Sequence, residues 1–173
     1  MKKLLMAIAI LCSASVLRAE PDYYAAACAW APGQLPMASS SVIWGVRGTL
    51  FYGDHTRLDG LDLAFLGANR TRERFNGFAY AFIFNRANSA AGWQLGFANV
   101  VENEFFGLQT APWNHASNGY GTQWGIVNTA GYFAGLQLGL FNWADDLDGL
   151  QLGLINVIAD QTVCVFPFLN IGF

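Results

Sequence analysis

Seven asparagines stand in register down the C-terminal half of the chain, at Asn85, Asn99, Asn114, Asn128, Asn142, Asn156 and Asn170, and every interval is 14 residues except one of 15. They belong to an internal repeat whose fullest copies read Gly135-Leu-Gln-Leu-Gly-Leu-Phe-Asn142 and Gly149-Leu-Gln-Leu-Gly-Leu-Ile-Asn156. Gly92, Gly107 and Gly121 open earlier copies, with Gln94, Gln109 and Gln123 two residues on, in line with Gln137 and Gln151. A unit this short cannot bury its own apolar face, so stability has to come from stacking or pairing with neighbours.

Within each copy the residues alternate with the period of a strand. One face takes Leu136, Leu138 and Leu140, then Leu150, Leu152 and Leu154, and in earlier copies Trp93, Leu95 and Phe97. The other takes Gln137, Gly139 and Phe141, or Gln151, Gly153 and Ile155. The first face is apolar throughout, and the second is small with one amide per strand. Segments such as Ala144-Asp145-Asp146-Leu147-Asp148 and Ser117-Asn118-Gly119 have turn compositions.

Hydrophobic residues make up 54% of the 173 positions and charged residues only 12%, about half the share of an average soluble domain. That balance suits a protein whose outer surface is not wholly in water. Net charge is −3 and no Lys follows Lys3, so there is no electrostatic footprint for nucleic acid. Met1-Lys2-Lys3 and the apolar run from Leu4 to Cys12 read as a signal peptide over residues 1–19, and hence as export. Residues 20–40, with Pro21, Pro32 and Pro36, read as an irregular lead-in, and 41–173 as one repeat-built β domain. After processing, Cys28 and Cys164 remain, either as a disulfide or as two buried thiols.

Two architectures fit the repeat. In a parallel β-solenoid or roll with 14-residue coils, identical positions stack, placing Asn142 over Asn156 and Gln137 over Gln151, with the leucines as core. In an antiparallel meander closing into a small β-barrel of about 8–10 strands, ten-residue strands cross a bilayer with the leucines facing lipid. The constant period favours the solenoid. The mature length, the broad aliphatic face and the terminal Phe173 favour the barrel, which is the architecture this sequence leads us to expect.

The last strand, Phe166-Pro-Phe-Leu-Asn-Ile-Gly-Phe173, resembles the C-terminal signal of Gram-negative outer-membrane β-barrels. That resemblance implies recognition by the outer-membrane insertion machinery, although Pro167 departs from the pattern. The Gly-Leu-Gln-Leu-Gly-Leu-x-Asn copies resemble a family of exported bacterial surface-repeat proteins without assigned activity, over about half the chain. This implies a surface role and no mechanism.

Candidate chemistry is sparse. His115 and Ser117 with Glu102 or Glu104 contain the residue types of an acyl hydrolase, but a polar loop is the better reading. Asp145, Asp146 and Asp148 offer oxygen ligands without an EF-hand pattern and read as a solvated turn. Arg70, Arg72 and Arg74 form a basic knot, suited equally to lipid-borne phosphates and to a charged loop. The Gln row reads as amides pairing across strands rather than as a lumen lining, and Trp113 and Trp143 suit an interfacial girdle. The expectation is therefore a structural or interaction protein of the outer membrane or cell surface of a Gram-negative-type bacterium, with outer-membrane lipid as partner. A secreted β-solenoid binding module and a membrane-embedded lipid hydrolase are the alternatives. No catalytic, cofactor or metal site is assigned.

Overall fold

A computed structural model of the chain describes residues 42–49, 51–160 and 165–173. The signal peptide, the lead-in and both cysteines of the candidate disulfide, Cys28 and Cys164, lie outside the described residues. Seven strands form one sheet in sequence order: β1 (Val42–Thr49), β2 (Tyr52–Ala64), β3 (Ala68–Thr110), β4 (Trp113–Trp124), β5 (Val127–Leu138), β6 (Phe141–Ile158) and β7 (Val165–Gly172). Neighbours from β1 to β6 run parallel. The 43-residue β3 carries three coils in one uninterrupted run, since Gly92 stacks on Gly77 and Gly107 on Gly92.

The register follows the repeat. Gly121 lies beside Gly135, Gln123 beside Gln137 and Asn128 beside Asn142, and the same columns continue to Gly149 and Gln151. The chain is therefore a parallel β-solenoid, the alternative architecture, and the expected antiparallel barrel is overturned. A meander would set successive copies in reversed order, so an amide at one position could not meet its own copy in every neighbour. Parallel stacking at a constant period lets each buried amide pair with an identical one.

A second expectation also reverses. In the solenoid the leucines were to be core, yet Leu152 and Leu154 are 37% and 55% exposed, while Gln137, Gln151, Asn142 and Asn156 are fully buried. The cause is room. A Cβ on Gly139 would stand 2.6 Å from Asn128 Nδ2 and 2.9 Å from Asn142 Oδ1, so this interior side admits only Gly or Ala beside the amides. The largest apolar side chains fit inside two residues before the coil glycines, where Leu58, Phe75, Phe105, Phe133 and Leu147 are buried, and smaller ones two residues after the asparagines, where Val101 and Ile158 are buried among alanines. At Gly119 the first of these columns is vacant because the neighbouring Phe133 ring fills it, 2.4 Å from where a Cβ would be.

Eight glycines, one per coil from Gly45 to Gly149, take a left-handed φ that L side chains rarely adopt. Sterics close the same positions, since a Cβ on Gly135 would lie 2.1 Å from the carbonyl oxygen of Gly121. The column turns each coil and allows the turns to stack at strand spacing. The C-terminal end departs from it. β7 runs antiparallel to β6, with Gln151 opposite Asn170 and Val157 opposite Val165, and covers the last coil instead of adding another. This explains Pro167, which sits within the irregular stretch of a terminal strand paired on one side only. Phe168 beside it takes a left-handed φ of 70°.

Gly135→Ala is expected to destabilise the solenoid by about 3 kcal/mol or more, because it adds backbone strain to a clash that no side-chain rotation relieves. Urea denaturation followed by far-UV circular dichroism measures it. Unchanged stability would show that the glycine column is not what sets the coil.

Candidate functional site

The interior holds two ladders of amides running in opposite senses. In the first, Nδ2 of each asparagine donates to Oδ1 of the next, from Asn69 through Asn85, Asn99, Asn114, Asn128 and Asn142 to Asn156, at 2.7–3.2 Å. The Nδ2 groups also donate to main-chain carbonyls, as Asn128 does to Leu138 and Asn142 to Leu152. In the second ladder each glutamine donates backwards, Gln109 to Gln94, Gln123 to Gln109, Gln137 to Gln123 and Gln151 to Gln137, at 2.7–3.0 Å. Here too the Nε2 groups reach main-chain carbonyls, His115, Thr129, Trp143 and Val157. Buried amides are tolerated because nearly every donor and acceptor is used.

The ladder ends show what the repeat pattern left hidden. Arg47, two residues after Gly45, and Asp62, two after Gly60, occupy the glutamine column in the first two coils. Arg47 donates from Nε and Nη2 to the Asp62 carboxylate at 2.8 Å each, and from Nη2 to Asn69 Oδ1 at 2.9 Å, which starts the asparagine ladder. Sequence reading missed these three residues. For Arg47 and Asp62 the offset from glycine was the available signal, obscured because the occupants are charged, and for Asn69 the longer step to Asn85 broke the 14-residue spacing. At the far end Asn156 donates to the Phe166 carbonyl of β7. Asn170, the seventh asparagine of the series, is not part of the ladder; its Oδ1 accepts from Ile171 N–H. Gln151 Oε1 and Asn170 Nδ2 are both buried without a hydrogen bond, on residues that face each other in register.

His55 is buried beside this charged pair, its Nε2 2.9 Å from Thr71 Oγ1 and 4.0 Å from Asp62 Oδ2. Burial, aided by the Arg47 charge, pushes its pKa down to about 2. Burial likewise pushes the Asp62 carboxyl up, against the pull of Arg47.

The hydrolase residues do not assemble. His115 Nδ1 lies 3.0 Å from Thr129 Oγ1 in the next coil, and Glu102 pairs with Arg86. Asp145 accepts from Trp143 Nε1–H, and Arg72 and Arg74 of the basic knot bond Asp54 and Asn76. No family model, curated protein or solved structure matches the chain.

What remains for recognition is the outer surface, and it is sharply divided. The first, third and fifth residues after each coil glycine point outward and are apolar in most coils. Trp93, Phe97, Trp124, Ile126, Leu140, Leu152 and Leu154 are all exposed. The backbone bends at Gly125-Ile126 and Gly139-Leu140, so the apolar surface wraps a corner and continues to Trp113, exposed by 50%. From Phe78 onward every charged residue, Arg86, Glu102, Glu104, Asp145, Asp146, Asp148 and Asp160, lies between the buried asparagine and the next coil glycine, or, for Asp160, just after Asn156, the last asparagine of the ladder. The seven spacings of about 4.8 Å between eight coils make this apolar side about 34 Å long.

Two measurements test the interior. Asn128→Ala removes an acceptor from Asn114 and a donor from Asn142, and is expected to cost about 2–5 kcal/mol in urea unfolding; a neutral result would mean the ladder does not contribute. For His55, the folded pKa lies below the unfolded one, so its contribution is fully present above about pH 6.5. Below that the unfolded chain gains a proton that the folded chain refuses. Stability should fall by about 1.4 kcal/mol per pH unit towards pH 2, or roughly 2–3 kcal/mol between pH 6.5 and 4.5. Comparing wild type with His55→Gln at both pH values isolates this slope, and parallel profiles would refute it.

Proposed function

We propose that this protein is an exported β-solenoid interaction module that lies with its apolar side on a lipid surface. The observation that carries the reading is the segregation of the outer face into a charge-free apolar side about 34 Å long and an edge holding the charges. A soluble monomer rarely leaves so large a contiguous apolar surface uncovered. A fluid bilayer surface suits it better than a rigid partner because the apolar columns continue around the bend at Gly125-Ile126, where Trp124 and Ile126 are 61% and 52% exposed. A flat protein face would meet one side of that corner. Exposed Trp and Phe among the leucines fit the interfacial zone, where amphipathic rings partition well. With net charge −3, binding would be driven by apolar contact, without attraction to anionic headgroups.

This reading differs from a transmembrane barrel, since the solenoid would rest on one leaflet rather than cross it. The strand that suggested recognition by the insertion machinery, Phe166 to Phe173, is here the lid of the last coil. The signal-peptide pattern of residues 1–19 supports export, with the outer membrane or cell surface as the proposed location.

Flotation of the full chain with phosphatidylcholine vesicles tests the proposal. Leu152→Glu and Leu154→Glu should each weaken partitioning on the order of ten- to a hundredfold, from the loss of about 1.5–3 kcal/mol of apolar burial, while thermal stability without vesicles stays near wild type. Failure of the wild-type chain to float, or a stable dimer in sedimentation whose dissociation follows the same substitutions, would replace lipid by a second copy as the occupant.

A further inference from the structure

The solenoid departs furthest from its 14-residue period between β2 and β3, and its basic residues collect there. From β4 onward partners are offset by 14 residues, but β2 and β3 are offset by 16 where Tyr52 meets Ala68 and by 17 where Arg57 meets Arg74, with a register break after His55. Extra residues in a repeat emerge on its surface, where binding sites of repeat proteins are commonly built. Here they border a cavity of about 370 Å³ lined by Arg70, Thr71, Arg72, Arg86, Asn88 and Glu102. It opens on the charged edge, on the stretch of coil away from the apolar side.

Three guanidinium groups share this cavity, and two are held in place. Arg72 donates to Asp54 from Nε at 3.0 Å and Nη2 at 2.7 Å, and Arg86 contacts Glu102 through Nε and Nη2. Among the described residues both contacts leave Nη1 without a carboxylate partner. Arg72 holds the Asp54 carboxyl below its ordinary pKa, so that clamp persists at neutral pH. Arg70 stands in register with Asp54 and also draws on its carboxylate, but its guanidinium forms no close ion pair among the described residues. Counting Arg70, Arg72 and Arg86 against Asp54 and Glu102, the site carries a surplus of one positive charge in a chain whose net charge is −3.

We propose that this cleft is a binding site for a phosphomonoester, with Arg70 as the principal ligand and the Nη1 groups of Arg72 and Arg86 completing the cradle. A phosphomonoester carries close to two negative charges at neutral pH and three acceptor oxygens, which matches several converging guanidinium forks better than a singly charged carboxylate does. The cavity exceeds the size of a bare phosphate and admits the group that bears it. The Glu102 carboxylate at the rim disfavours anions unable to engage several arginines together. This site is independent of the lipid-contacting side, since its residues lie on the other stretch of the coil.

The test is calorimetric titration of the full chain, at low ionic strength and pH 7.5, with glucose 6-phosphate, inorganic phosphate and acetate. Vesicles of phosphatidylcholine with and without phosphatidic acid form a separate arm. Saturable binding of glucose 6-phosphate that weakens at least tenfold in Arg70→Gln, and stays unchanged in Arg57→Gln outside the cleft, supports the proposal with a soluble ligand. Binding confined to phosphatidic acid vesicles, with the same dependence on Arg70, supports it with a lipid headgroup as the source of the phosphate. Acetate binding as well as glucose 6-phosphate would overturn it. So would phosphate binding indifferent to Arg70→Gln, or no binding in either arm by an Arg70→Gln-sensitive route, with circular dichroism confirming that the variant is folded.

Discussion

Everything in this molecule depends on keeping buried amides paired. A side-chain amide taken out of water without partners costs several kcal/mol, and this solenoid buries one Gln and one Asn in most coils. The only economical partner for an amide at a given position is the same amide one coil away. That requirement holds the strands parallel, keeps each amide in register with the next, 14 residues on from β4 to β6, and aligns the glycines. Once the glycines are aligned, each is locked in turn, because the neighbouring glycine's carbonyl oxygen occupies the place of its missing Cβ.

Filling the interior with amides and glycines displaces the large apolar side chains to the outside. The roomiest interior column accepts Phe and Leu, while the residues flanking each glutamine along the strand, mostly Leu and Trp, must face outward. The unusual surface is thus a consequence of the unusual core, and from Phe78 onward the charged residues are confined to the outer stretch of strand between the buried asparagine and the next glycine, apart from Asp160 beyond Asn156. A chain built this way has one side that water solvates poorly and another that it solvates well. From that asymmetry the proposed attachment to a lipid surface follows.

Ends are the weak point of any ladder, and the two are treated differently. At the N-terminal end a guanidinium–carboxylate pair, Arg47 and Asp62, replaces the amides and feeds the first asparagine. Its burial is supported by mutual charge and by hydrogen bonds, and it carries His55 along as a neutral buried ring. At the C-terminal end β7 turns back and offers a carbonyl to Asn156. The coils near the first end are also the longest, and their additional residues supply the arginines of the cleft.

The sequence alone determined the repeat, its period and its strand character, because these follow from spacing and from the alternation of side chains, whereas the stacking of Gln on Gln and Asn on Asn followed only once the strands were seen to run parallel. It also marked Gly92, Gly107 and Gly121 as the openings of their copies. Whether that alternation put Leu or Gln inside was decided only by the tertiary structure. A period of two distinguishes two faces but not which is buried, and hydropathy favoured the leucines. The deciding quantity was lumen width, visible only when Gly139 is seen wedged between Asn128 and Asn142. Likewise the roles of Arg47, Asp62 and Asn69 rested on columns defined by stacking, and the cleft of Arg70, Arg72 and Arg86 on a coil closure that brings together residues up to 16 positions apart. Local pattern set the unit, and the packing of one unit on the next chose its inside.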